Sequence, residues 1–229
     1  MKNITFDLSN LHLHGTAFYD FLRLRKRHFV DSLGWDIPHN ALVEMDQYDN
    51  PTAHYSLVLQ DGEVIGGARC MPTSAEWGQY SYMLRDAAEG KLGDIPTDVL
   101  DRPMVDGTIW ECTRLVIDDS VTCAEDRTRC LDLIVDGLAK VARDNGAERM
   151  ISLSPLALAR VLRKLGWDAT RIGKPHHNTG DGRRYAMLTM PVRKTLPHAT
   201  EPAPIVKPAQ APGESVLVAP QAMPSSEVA

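Results

Sequence analysis

The feature that most constrains this chain is a two-residue step, Asp61-Gly62, between two apolar runs, His54-Tyr55-Ser56-Leu57-Val58-Leu59-Gln60 and Glu63-Val64-Ile65-Gly66-Gly67-Ala68-Arg69. Asp-Gly suits the positive φ angles of a tight type I′ turn, so the two runs predict an antiparallel hairpin. Thr108 to Ile117 (T-I-W-E-C-T-R-L-V-I) alternates like a strand. Arg149 to Leu153 reads as a short strand, and Asp168–Ile172 with Tyr185–Met190 as a last strand pair. Helical spacing governs Thr16 to Leu33, through Phe18, Phe21, Leu22, Phe29, Val30 and Leu33, until Gly34 breaks it with Pro38 just beyond. It returns in Cys130–Ala142 and in a basic amphipathic stretch, Leu156–Leu165, closed by Gly166. The order helix, hairpin, strand, helix, strand, helix, strands predicts an α/β fold. Its sheet is mixed, mostly antiparallel, with helices on both faces.

Composition bounds what such a fold can do. The chain has 229 residues, 43% of them hydrophobic, enough for a sizeable core. Its net charge of −5 argues against nucleic acid as a partner, so any basic surface is local. No apolar run approaches the roughly 20 residues that span a bilayer, and the N-terminal residues Met1–Asp7 lack the apolar core of a signal peptide. No membrane role and a cytoplasmic location are therefore expected. Cys70, Cys112, Cys123 and Cys130 lack C-x-x-C spacing and fall in periodic apolar segments, which predicts four buried thiols. The only close histidine pairs are His12/His14 and His176/His177, so no metal site is expected. Composition breaks sharply near residue 195. From there to Ala229 the prolines Pro197, Pro202, Pro204, Pro208, Pro212, Pro220 and Pro224 predict a disordered or extended tail after a folded domain of residues 1–194.

The chemistry concentrates around charged residues in apolar surroundings. Glu111-Cys112-Thr113-Arg114 sits in the predicted central strand, where alternation would put Glu111 and Thr113 on one face and Cys112 and Arg114 on the other. A mid-strand carboxylate is costly to bury unpaired. Asp46 and Asp49 precede the hairpin and Arg69 ends it, which points to a charged network lining a cleft.

Taken jointly, these residues form a pattern. R-x-x-x-F-x-x-x-x-x-W at Arg25, Phe29 and Trp35 is followed by Asp46-x-x-Asp49, then by Gly66-Gly67-Ala68-Arg69, then by Trp110-Glu111-Cys112-Thr113-Arg114-Leu115. In order and spacing this resembles the acyl-homoserine-lactone synthases over roughly residues 1–190. The resemblance implies a three-layer αβα fold similar to the Gcn5-related N-acetyltransferases. It implies S-adenosylmethionine as a substrate rather than a cofactor, and an acyl group carried on acyl carrier protein or coenzyme A. It makes Glu111, Thr113 and Arg114 catalytic, Glu111 as the base for the substrate amine. Arg25, Phe29, Trp35, Asp46, Asp49 and Arg69 would bind S-adenosylmethionine. Trp35 and Phe29 would offer ring faces to the sulfonium, and Arg25 a bidentate fork to the carboxylate. Trp110, Leu115, Ile151, Ser152 and Leu153, with Leu162, would line the acyl pocket, Ser152 aligning with a hydroxyl that favours 3-oxo chains in relatives. Arg160, Arg163, Lys164, Arg171 and Lys174 would dock an acidic acyl carrier protein.

Two departures from the family pattern stand out. Thr113 replaces a common Ser and keeps the hydroxyl. Asp86-Ala87-Ala88 stands where an aromatic commonly follows the M-L pair, here Met83-Leu84. Two other readings compete. An ordinary N-acetyltransferase would need a glycine-bearing phosphate loop, but Asp118–Arg127 contains no glycine. A non-catalytic protein acting through the Pro-rich tail would leave the charged cluster without a role.

Overall fold

The computed structural model describes residues 1–178 and 180–195; the Pro-rich tail lies outside the described residues. Seven strands form one sheet in the order β1-β2-β3-β4-β5-β7-β6. They are β1 (Lys2–Asp7), β2 (His54–Gln60), β3 (Glu63–Pro72), β4 (Ile109–Ile117), β5 (Arg149–Pro155), β6 (Thr170–His177) and β7 (Arg184–Pro191). Every neighbouring pair is antiparallel except β4/β5. The helices are α1 (Ala17–Arg25), α2 (Met83–Ala88), α3 (Ala124–Asp144) and α4 (Leu156–Lys164).

The hairpin forms where Asp61-Gly62 predicts it, with φ of 53° and 90° at its two turn residues. Gly66 and Gly67 in β3 let a helix approach from each face. A Cβ on Gly67 would lie 2.9 Å from the Phe21 ring of α1, and one on Gly66 2.9 Å from Cys130 Sγ of α3. Two apolar clusters result, one per face. Phe21, Leu24 and Leu57 build the first with Leu84 of α2; Val58, Ile134 and Leu138 build the second with Leu162 of α4. Helices therefore cover both faces of a mixed, mostly antiparallel sheet. Among the described residues no helix is long and apolar enough to cross a membrane.

Three local features depart from the simple reading. β1 and α2 were not foreseen: β1 is an edge strand paired only with β2, and α2 has only six residues, too short for periodicity to register. The first helix changes character after Arg25, and Lys26–Ser32 forms a π-helical segment. Such segments insert a residue into the turn and re-aim the side chains that follow. Of the four thiols, Cys70 and Cys130 are buried, while Cys112 is half-buried and Cys123 exposed. Cys123 stands at the entry to α3, ahead of that helix's buried face.

The β4/β5 pair positions the site. Its parallel register runs only from Ile109↔Arg149 to Glu111↔Ile151, although β4 continues to Ile117 and β5 to Pro155. Beyond that point the strands part, and their side chains face a gap instead of a ladder.

Candidate active site

A cavity of about 470 Å³ fills that gap, lined by Cys112–Leu115 of β4 and Met150–Pro155 of β5. That is within the usual range for small-molecule sites, about 300–1,000 Å³. The cavity draws residues from both apolar clusters, including Phe29 and Trp35 on one side of the sheet and Val135, Leu138 and Leu162 on the other. It therefore passes through the sheet between β4 and β5.

On the α1 side the charged residues form one closed network. The Arg25 guanidinium grips Asp49 in a bidentate fork, at 2.8 and 2.9 Å, and donates its Nε–H to Glu44 at 2.5 Å. Arg69 forks onto Asp46 at 2.6 and 3.1 Å, reaches Asp49 at 2.8 Å, and donates from Nε to Thr113 Oγ1 at 3.1 Å. Arg114 bridges Asp46 at 2.8 Å and Glu44 at 3.3 Å. Three arginines thus meet three carboxylates, Glu44, Asp46 and Asp49. The network is neutral and almost wholly dry. Glu44 was not foreseen, and without it one buried arginine charge would be uncompensated. It lies in Asn40–Asp49, a segment with no periodic signal beyond the acids themselves.

Arg114 is on the same face as Glu111 and Thr113, not on the opposite face that alternation predicts. Two steps on β3, Arg69 to Gly67, oppose three on β4, Thr113 to Val116, and Arg114 has φ of +57° within that bulge. A bulge adds a residue and rotates the strand, which brings Arg114 back toward the acids. The left-handed backbone of a non-glycine residue costs about 1–3 kcal/mol. The charge-assisted contacts of Arg114 hold it there.

The network sorts the predicted binding residues into two groups. Asp46, Phe29, Trp35, Thr113 and Arg114 line the cavity, while Arg25, Asp49, Arg69 and Glu111 stand behind its wall. The Arg25 fork is filled by Asp49 and its side chain is fully buried behind the cavity wall. Of the three arginines, Arg114 lines the cavity. Its guanidinium lies 5.6 Å from the centroid of Phe29, and Phe29 stacks on Trp35 at 5.0 Å and 25°. The π-helical segment carries Phe29, and Trp35 follows just past Gly34, at φ +69°.

Glu111 is 1% exposed, and each carboxylate oxygen accepts one backbone N–H at the start of α2, from Met83 at 2.9 Å and Leu84 at 2.8 Å. Burial raises its pKa to about 7, against the opposing pull of those two amides and Arg69. Asp46 and Asp49 move the other way. Burial opposes their ionisation, but Arg69 and its fellow arginines hold both carboxyls below the usual range.

Of the predicted acyl-pocket residues, Leu115, Ile151, Ser152 and Leu153 line the cavity, as does Leu162, while Trp110 does not. Trp110 is still in register with Met150, ahead of the point where the strands part, and its ring lies 5.1 Å from His54. Ser152 and Ser154 share a hydrogen bond of 2.9 Å at the wall. Val135, Leu138, Leu158 and Met190 complete the apolar part and were not foreseen, because they come from α3, α4 and β7, remote in sequence from the motif. The predicted docking residues Arg160, Arg163, Lys164, Arg171 and Lys174 are all exposed on α4 and β6, with Arg163 also donating to the Ala169 carbonyl at 2.9 Å.

A sheet opened between a parallel pair, with an apolar channel on one side and an ordered charged wall on the other, is an architecture shared with acyltransferases. The fold is similar to that of an acyl-CoA N-acyltransferase from Pseudomonas aeruginosa, with a TM-score of 0.53 at 13% identity over 82% of this chain and 99% of that one. It is also similar to TofI, solved in a ternary complex with an inhibitor and MTA, with a TM-score of 0.64 at 24% identity over 84% and 92% of the two chains. The family model described as autoinducer synthase matches residues 9–195. An acyl-homoserine-lactone synthase from Acinetobacter nosocomialis is 32% identical over 163 residues, 68% of this chain and 82% of that relative. The chain belongs to the autoinducer synthases, the acyl-homoserine-lactone synthase family.

Proposed function

We propose that this enzyme joins an acyl thioester to S-adenosylmethionine in the cytoplasm, releasing an N-acyl-homoserine lactone and methylthioadenosine. The observation that carries the reading is the single cavity that joins an ordered acid–arginine wall to an apolar channel through the opened β4/β5 gap. S-adenosylmethionine occupies the α1 side. Its carboxylate meets Arg114, and its sulfonium faces Phe29, Trp35 and Asp46, a cation–aromatic contact worth about 0.5–2 kcal/mol. The acyl chain runs through the gap toward Leu115, Val135, Leu138 and Leu162. A hydroxyl at Ser152, beside the channel, suits a 3-oxo group.

Glu111 is the base. Each of its oxygens accepts one N–H and keeps further lone-pair capacity, so it takes the amine proton through a bridging water behind Met83. The freed amine attacks the thioester carbon, the carbon–sulfur bond breaks, and the departing thiolate takes the second nitrogen proton and leaves as the carrier thiol. The carboxylate oxygen of the resulting amide then displaces methylthioadenosine from the γ-carbon and closes the ring. Thr113, bonded to Arg69, keeps that guanidinium aligned with Asp46. No resident metal or cofactor takes part.

Incubating the protein with S-adenosylmethionine and a set of acyl carrier protein or coenzyme A thioesters tests the reading. Methylthioadenosine should form in step with an acyl-homoserine lactone. Acyl transfer to another amine with no methylthioadenosine would overturn it.

The exposed basic residues of α4 and β6 make acyl carrier protein the favoured donor. Reversing charge at Arg163 and Lys164 should raise KM for acyl carrier protein several-fold at low salt, with the difference shrinking as salt rises. An unchanged KM would favour a coenzyme A donor.

A further inference from the structure

The cavity wall contains a second ordered unit, which ties the motif's Trp35 to residues outside the motif. Trp35 reaches its cavity position from the start of the chain, and its indole N–H donates to Asp181 Oδ2 at 3.0 Å, across 146 residues of sequence. The same oxygen accepts the Tyr185 hydroxyl at 2.6 Å. Asp181 Oδ1 accepts the Arg183 amide two residues on, at 2.9 Å, a local turn contact that fixes the carboxylate. Tyr185 stands 6.2 Å from the Trp35 ring and stacks on His176 at 5.9 Å. Phe29, Trp35, Tyr185, His176 and Arg183 all line the cavity, whereas Asp181 does not. One carboxylate therefore ties an aromatic wall drawn from both ends of the domain.

We infer that Asp181 is a positioning residue for the sulfonium substrate, holding Trp35 and Tyr185 in one orientation so that their ring faces meet the cation. The inference rests on the proposed placement of S-adenosylmethionine against Trp35. Two physical effects converge on it. An indole is free to rotate about two side-chain torsions, and anchoring its N–H removes most of that freedom before substrate arrives. An anion accepting the indole N–H also pushes electron density into the ring, which strengthens attraction of a cation to the face. Burial works against the charge of Asp181, but Tyr185, the Arg183 amide and Trp35 hold its carboxyl below the usual range. The anchor is therefore ionised throughout the working pH range.

Substituting Asp181 separates anchoring from general stability. Asp181→Ala removes the acceptor; Asp181→Asn keeps an oxygen for Trp35 and Tyr185 but loses the charge. Charge-assisted hydrogen bonds justify an expected rise of about tenfold in KM for S-adenosylmethionine in Asp181→Ala. KM for the acyl thioester should move less than about twofold, since the anchor lies on the α1 side of the gap. Asp181→Asn should recover part of the loss, the share that hydrogen bonding without charge supplies. In a Trp35→Phe background, Asp181→Ala should cost markedly less, because one of its two partners is already gone. Equal rises in both KM values, no rise at all, or an Asn variant as impaired as the Ala variant would each overturn the inference. The wild type run alongside separates it from the underlying function: if the wild type releases no methylthioadenosine, the functional reading has failed, whatever Asp181 does.

Discussion

Glu111→Gln should remain folded and lose amide formation by a factor of about 10²–10⁴, the usual contribution of a positioned base. The amide side chain fits the same space and can still accept one of the two N–H groups from Met83 and Leu84. The other N–H then faces an NH₂, a loss of about 1–3 kcal/mol. That is partly offset because no charge is buried. Single-turnover formation of the acylated intermediate is the measurement, with circular dichroism to confirm the fold. Near-wild-type turnover would remove Glu111 from the base role.

The wild-type pH profile carries the same assignment. With a pKa near 7, Glu111 gains its base form over the neutral range, so the rate of amide formation should climb from pH 6 to 8. Stability follows the opposite course. The fold prefers the neutral acid, so this group's stabilising contribution is complete below the ordinary carboxylate value and is lost as pH rises through about 7. Between about pH 6 and 7 the site thus becomes more active while this group's stabilising contribution is being lost.

The second large effect is expected at Arg69. Arg69→Met keeps the stem's volume but leaves Asp46 and Asp49 without their main buried partner. Breaking a buried ion pair from one side costs about 3–5 kcal/mol. At about 2–4 °C per kcal/mol for a domain of this size, Tm should fall by roughly 6–20 °C. Activity should vanish with it, because Thr113 and Asp46 lose their shared anchor. The pH dependence should also change sign. In the wild type, depressed carboxylates contribute stability at neutral pH that is lost as pH falls through their lowered values. In the variant only Arg25 remains on Asp49 and Arg114 on Asp46, so burial raises those values and mild acidification should narrow the gap to wild type. Calorimetry at pH 7 and pH 5 measures this, and a gap that widened toward pH 5 would contradict the role of Arg69 as their partner.

How much of this was legible in the chain depends on the physics of each signal. Asp61-Gly62 announces its hairpin because few dipeptides tolerate two positive φ angles. The motif residues were visible as charges in apolar runs. What the sequence hid was the division of labour among them. Arg25 reads as a ligand fork, yet its donors are filled by Glu44 and Asp49, and only the fold brings Glu44 near. Arg114 reads as pointing away, because a bulge centred on an arginine in place of a glycine has no local signature. Trp110 reads as pocket lining, because no linear pattern says where two parallel strands stop pairing. Pairwise spacing reveals contacts within an element, whereas these three outcomes depend on contacts between elements.

The parting of β4 and β5 has an evolutionary consequence. On the proposed reading it puts bond making and chain measuring on opposite faces of one sheet. The wall of the α1 side is a tightly balanced cluster, where almost any change leaves a stranded charge. The far end is bounded by Val135, Leu138, Leu158, Leu162 and Met190, ordinary apolar side chains on α3, α4 and β7. Trimming one such side chain by a single methylene typically costs about 0.5–1.5 kcal/mol. On the proposed reading, a lineage with this architecture can therefore retune the length of its signal through small, tolerated steps while its chemistry stays fixed, and new signal dialects can arise without a new catalyst.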